Sequence, residues 1–119
     1  MADKTAALFA RCEPVAEWIY RCLLGGLAPY GPIRVEPKKT SLHLCGARSA
    51  FAGVHPRAAG VLLTIRTAAP IESRRVRKTE RVSANRAHND LLLTDPAQVD
   101  EELVGWLAEG LRLSGGPVA

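Results

Sequence analysis

Aromatic side chains are scarce in this chain: two Trp, two Tyr and two Phe among 119 residues. The core must therefore be built from Leu, Val, Ile and Ala. A surface that stacks the bases of single-stranded nucleic acid also has few side chains to draw on. Cysteine is sparse. Cys12, Cys22 and Cys45 are odd in number, widely spaced and form no CxxC. That argues against a disulfide framework and against a thiolate zinc site. The expected state is free thiols acting as small hydrophobes. No apolar run approaches the ~18 residues that a bilayer span needs. The opening Met1-Ala2-Asp3-Lys4-Thr5 has none of the basic start, apolar stretch or cleavage site of a signal peptide. A cytoplasmic protein with no membrane attachment is expected. Nucleophile elbows, phosphate loops, HExxH and dinucleotide fingerprints are all missing. No cofactor and no catalytic residue is assigned.

What is present is segregated charge. Residues 34–88 hold twelve of the sixteen Lys and Arg and only three acids, net +9. Residues 1–33 balance at three of each, and residues 89–119 carry six acids against one base, net −5. A basic middle of this kind points to an anionic partner, a phosphate-bearing molecule or nucleic acid. Guanidinium forks match phosphate oxygens geometrically. The competing reading is a solvated loop face balanced by the acidic C-terminal helix.

Hydrophobic periodicity places the elements. Leu8, Cys12, Val15, Ile19 and Cys22 form one helical stripe over residues 4–24. Pro14 should kink that helix or start a second one, and Gly25-Gly26 should end it. Strands are expected at Ile33–Val35, Ser41–Cys45, Ala50–Val54 and Val61–Arg66, with His43 and Cys45 opposite Leu42 and Leu44. Residues 69–85 read as a loop with a short strand around 78–82. Ala87–Leu93 reads as the last strand, with His88 and Asp90 on one face. Asp95, Pro96 and Gln98 form a capping-box start for the C-terminal helix, whose stripe is Val99, Leu103, Trp106, Leu107 and Gly110. Short connections favour antiparallel pairing. The expected fold is α+β: a two-layer sandwich, mainly an antiparallel sheet of four to six strands, with an N-terminal and a C-terminal helix on one face. One domain spans 1–119, with its core at 4–113 and a flexible tail at 114–119.

Several segments carry a family resemblance. They are Val35 to Leu44 with Lys38-Lys39-Thr40 at its centre, Ala50-Phe51-Ala52-Gly53-Val54-His55-Pro56-Arg57, and Arg77-Lys78-Thr79-Glu80. Val82 to Asn89, Leu93-Thr94-Asp95-Pro96 and Gly105-Trp106-Leu107 follow in order. Together they resemble the bacterial family of domain of unknown function 5655 over about residues 7–113. The resemblance implies a small α+β domain, sometimes fused to larger bacterial proteins that include predicted nucleases. It implies no activity or cofactor.

The charge map and the resemblance together make Lys38, Lys39, Thr40, Arg77, Lys78, Asn85, Arg86 and His88 the candidate ligand-binding residues. Three functions fit. The first is a non-catalytic binding module for an anionic ligand, nucleic acid included. The second is a protein-interaction domain, in which the acidic helix of one copy meets the basic face of another to form a homodimer. The third is a small-molecule enzyme with His88 as its acid–base residue. His43 and Cys45 share a strand face, but their spacing with His55 or His88 matches no standard metal motif.

Overall fold

Strict alternation along two strands sets the architecture. In Gly60–Thr67 the side chains of Val61, Leu63, Ile65 and Thr67 are buried, while Leu62, Thr64 and Arg66 are partly exposed. Arg86–Leu93 repeats the pattern, with Ala87, Asn89, Leu91 and Leu93 buried. Successive side chains on a strand point to opposite faces, so the sheet has one apolar face and one polar face. The computed structural model describes residues 4–118. Its elements are α1 (Lys4–Phe9), α2 (Pro14–Leu27), β1 (Arg34–Pro37), β2 (Leu42–Cys45), β3 (Ala50–Arg57), β4 (Gly60–Thr67), β5 (Lys78–Ser83), β6 (Arg86–Leu93) and α3 (Glu101–Leu113). The strands form one six-stranded antiparallel sheet in the order β1-β2-β3-β4-β6-β5. Helices α2 and α3 pack on β3 and β4. This is the expected α+β sandwich, with the sheet at the upper end of its expected size.

The helices differ from expectation in instructive ways. Pro14 does split the N-terminal helix and opens α2. Gly25 and Gly26 do not end it, since α2 runs on to Leu27. A Cβ on Gly26 would lie 2.7 Å from Cγ2 of Val104 on α3, so here glycine serves close helix approach and not a stop. The chain leaves α2 through a 3-10 turn, Ala28–Tyr30, and Gly31 with φ 108°. The capping box of Asp95 and Gln98 forms, but on a 3-10 turn, Pro96–Gln98. The α-helix begins one turn later, where the Asp100 carboxylate accepts from the Leu103 N–H at 3.0 Å.

The core joins both helices to the apolar sheet face through Ile19, Leu23, Leu42, Leu44, Val54, Leu63, Ile65, Leu91, Leu103 and Leu107. Phe51 is fully buried where a bulge shifts the register between β2 and β3. Gly110 lets α3 approach β4, because a Cβ there would sit 2.8 Å from the Arg66 carbonyl oxygen. β3 extends through Pro56 to Arg57, past its expected end at Val54. β2 pairs only as far as Val54, so the proline leaves no β2–β3 ladder bond unmade. Of residues 114–119, expected as a flexible tail, Ala119 lies outside the described residues and 114–118 are hydrogen-bonded to the body of the fold. Gly116 accepts from the Ala47 N–H at 2.8 Å, and the Val118 N–H donates to Pro32 at 2.8 Å.

One buried polar side chain ties the segment 68–77 to this frame. Asn89 has no exposed surface, and its amide donates to the Ile65 carbonyl at 3.0 Å and to Thr67 Oγ1 at 2.8 Å. Its oxygen accepts from the Ile71 N–H at 2.9 Å and from Thr79 Oγ1 at 3.3 Å. Removing it strands buried donors and acceptors, each worth about 1–3 kcal/mol when left unpaired. Asn89→Ala is therefore expected to destabilise the fold by about 2–3 kcal/mol in urea unfolding. A change under about 0.5 kcal/mol, typical of an exposed surface position, would show that the network is not a structural tie.

Candidate functional site

The polar face of the sheet is the face that no helix covers. The strand registers place Glu36, His43, Gly53, Thr64, Asp90 and Lys78 in one row, one residue from each strand. A second row holds Arg66, His88 and Glu80. A third holds His55, Leu62 and Leu92. Gly53 is the gap in the first row. Two strand spacings, about 9–10 Å, separate the β2 and β4 positions on either side of it, and the His55 ring leans over the gap, its Nε2 3.2 Å from where a Cβ on Gly53 would stand. The gap opens a cleft of about 230 Å³ lined by His43, Gly53, His55, Thr64, Arg66, Arg86 and His88. All three histidines of the chain line it.

Hydrogen bonds fix the side chains of the cleft. Thr64 Oγ1 donates to Asp90 Oδ1 at 2.7 Å and stands 3.5 Å from His55 Nε2. With its own proton given to the carboxylate, the Thr64 oxygen is the acceptor for an N–H at His55 Nε2. Arg86 Nε donates to His88 Nε2 at 3.2 Å, which puts the neutral His88 proton on Nδ1. Arg66 is held by two hydroxyls, Ser49 Oγ at 2.8 Å and Ser114 Oγ at 3.4 Å. Neither Arg66 nor Arg86 has a carboxylate partner among the described residues. Burial pushes the Arg66 guanidinium below its ordinary range, and the charges of Arg86 and Arg48 push it the same way. Burial likewise lowers His88, with Arg86 adding to it, and lowers His55, with Arg57 adding to it. The cleft thus gathers two cations and three imidazoles without a carboxylate on its wall. Beside it lies a depression of about 210 Å³ formed by Thr64, Lys78, Glu80, His88 and Asp90. The two share Thr64 and His88.

The eight candidate residues divide. Arg86 and His88 line the cleft, and Lys78 lines the adjoining depression. Lys38, Lys39 and Thr40 are exposed on the β1–β2 turn, and the Lys38 ammonium lies 3.4 Å from Glu36. Arg77 is exposed just before β5, and Asn85 is exposed on the β5–β6 turn. None of these five lines the cleft or the depression. Arg66, His55 and Thr64 were outside the candidate set, although the alternation of β4 already put Thr64 and Arg66 opposite Leu63 and Ile65. His43, Cys45, His55 and His88 do not form a metal-binding group among the described residues. Cys45 is buried, and burial raises its thiol. The acidic helix meets a cation of its own chain. Arg75 Nη1 lies 2.9 Å from Asp100 and 3.2 Å from Glu102, and its guanidinium stands 5.7 Å from the centre of the Trp106 ring.

A two-layer α+β domain with one covered and one open sheet face is the class of protein these features define. The chain belongs to the family described as Domain of unknown function (DUF5655), whose model matches residues 10–114. No curated protein and no solved structure matches it.

The histidines also set a pH dependence. Both His55 and His88 are lowered from 6.5, so the unfolded chain takes up protons before the folded one does. Their contribution is neutral above that value, and stability falls as the pH drops through it. The urea midpoint is expected to fall between about pH 7.5 and about pH 5.5, bracketing the ordinary histidine range. A His55→Gln/His88→Gln variant should show a flatter profile. An identical profile in the variant would remove these two residues as its cause.

Proposed function

We propose that this domain binds a phosphate-bearing ligand on the open sheet face, with Arg66 and Arg86 as the anion contacts. The observation that carries the reading is a pair of guanidinium groups in one cleft with no carboxylate to neutralise them. Their mutual repulsion, felt at Arg66, is relieved by a bound anion. His43, His55 and His88 add imidazole groups to the same cleft. Arg86 and His88 of the candidate set lie at this centre, away from Lys38, Lys39 and Thr40 on the β1–β2 turn, Arg77 before β5 and Asn85 on the β5–β6 turn. The three free thiols, Cys12, Cys22 and Cys45, suit a reducing cytoplasm.

A second reading adds acid–base chemistry on the bound ligand. It is favoured by the neutral His88, whose ring nitrogen already accepts from Arg86 beside the cleft. Nucleic acid is the less favoured source of the phosphate. Phe51 is fully buried, and Trp18, 61 % exposed, lies on α2, on the covered side of the sheet. Among the described residues the open face therefore offers no Phe, Tyr or Trp ring for base stacking, and its rings are the three imidazoles of the cleft.

Titration calorimetry with inorganic phosphate and with sulfate tests the reading. Arg86→Ala should weaken both by about ten- to a hundred-fold, the loss of one or two hydrogen bonds to a charged group. Circular dichroism would confirm that the variant folds. Equal affinity in a folded Arg86→Ala protein would overturn the assignment. Tight binding of an oligonucleotide that falls steeply with salt would move the ligand to nucleic acid.

A further inference from the structure

We propose that the ligand is a phosphorylated polyol of sugar-phosphate type, its phosphate on Arg66 and Arg86 and its hydroxyls in the adjoining depression. The inference rests on the anion-binding reading and names the ligand class of that same face. The cleft of about 230 Å³ is smaller than the ~300–1,000 Å³ that houses a whole drug-sized ligand. It takes an anionic head and leaves the rest of the molecule to reach elsewhere. The place it reaches is already built. The depression of about 210 Å³ shares Thr64 and His88 with the cleft and continues it toward β5.

The chemistry of the depression differs from that of the cleft. Glu80 and Asp90 supply carboxylate acceptors and Lys78 supplies an ammonium donor. Carboxylates accept from hydroxyl groups, and an ammonium donates to hydroxyl oxygens. This mixture suits neutral, hydroxyl-rich groups. It does not suit a second phosphate, which would meet two carboxylates against one ammonium. A nucleic-acid strand crossing the sheet would set its next phosphate over Glu80 or Asp90. A single phosphate with a polyol attached avoids that repulsion. The two sites lie roughly one to two strand spacings apart, about 5–10 Å, a span that a sugar phosphate covers from its phosphate to its far hydroxyls.

The test is calorimetry on the full chain at fixed ionic strength with three probes: inorganic phosphate, ribose 5-phosphate and ribose. Ribose 5-phosphate should bind about ten-fold or more tighter than phosphate, the worth of one or two added hydrogen bonds, and ribose alone should show no measurable binding. Glu80→Gln, on an exposed edge strand where folding is little perturbed, should bring the ratio of the two phosphate-ligand affinities toward one. Phosphate binding with no gain for ribose 5-phosphate overturns the polyol assignment and leaves the anion site standing. A gain that survives Glu80→Gln unchanged also overturns it, as does a short RNA that binds tighter than ribose 5-phosphate. Failure of both phosphate and ribose 5-phosphate to bind the folded protein overturns the anion site itself.

Discussion

A six-stranded sheet has two faces, and this chain has enough helix to cover one of them. That constraint decides the rest of the structure. The odd-numbered residues of β4 and β6 lie on the covered face of the sheet and must be apolar or fully bonded, as Asn89 is. The even-numbered residues of the same strands stay at solvent, and there Thr64, Arg66, Arg86, His88 and Asp90 stand side by side. Because the side-chain period is two, a slip of one residue in either strand would exchange core for cleft. The packing that stabilises the domain also aligns the candidate site.

The same frame explains how the basic middle is distributed. Arg75 is absorbed by α3, where Asp100, Glu102 and the ring of Trp106 hold it. It clamps the connection between β4 and β5 from one side while Asn89 holds Ile71 from the other. Arg34 and Lys38 share Glu36. These are exposed or half-exposed pairs of the kind worth ~0–1 kcal/mol each. They do, however, remove three cations from the positive surface that a bare count suggests. Arg66 and Arg86 are different, since their partners are hydroxyls and an imidazole.

Much of the fold was legible in the residues. The alternation of Leu42, His43 and Leu44, the uninterrupted apolar pattern of β4 and the Asp95-Pro96-Gln98 signal all describe elements that form. Strand β5 was the weakest to read because all six of its residues are exposed, so burial writes no pattern into it. The role of Gly26 is not legible locally, because a glycine that terminates a helix and one that admits a neighbouring helix look alike until the fold sets Val104 Cγ2 2.7 Å from where its Cβ would stand. The site was legible only in part. Arg86 and His88 sit in a segment dense with polar residues, a signal visible locally. Arg66 sits in a hydrophobic strand, and His43 and His55 are on different strands. What joins them is the register of two successive hairpins across Gly53 together with the β4–β6 pairing that sets Arg66 opposite His88, far beyond any local window.

Location, more than number, decides what a cation contributes here. A lysine at full exposure, such as Lys39, attracts an anion at ~4 Å by about 1 kcal/mol through water, and salt screens much of that. Next to a protein wall the same separation is worth about 4 kcal/mol before the anion's own desolvation is subtracted. Arg66 is in the second situation. It is half-buried, anchored by Ser49 and Ser114, and close enough to Arg86 for their charges to oppose each other. Ser114 is itself fixed, buried at the end of α3 and bonded to the Ala50 carbonyl. The guanidinium is therefore positioned before any ligand arrives, and little side-chain entropy is left to lose on binding. On the proposed reading, two guanidinium groups in a small cleft would hold an anion better than the larger number of cations scattered over the turns.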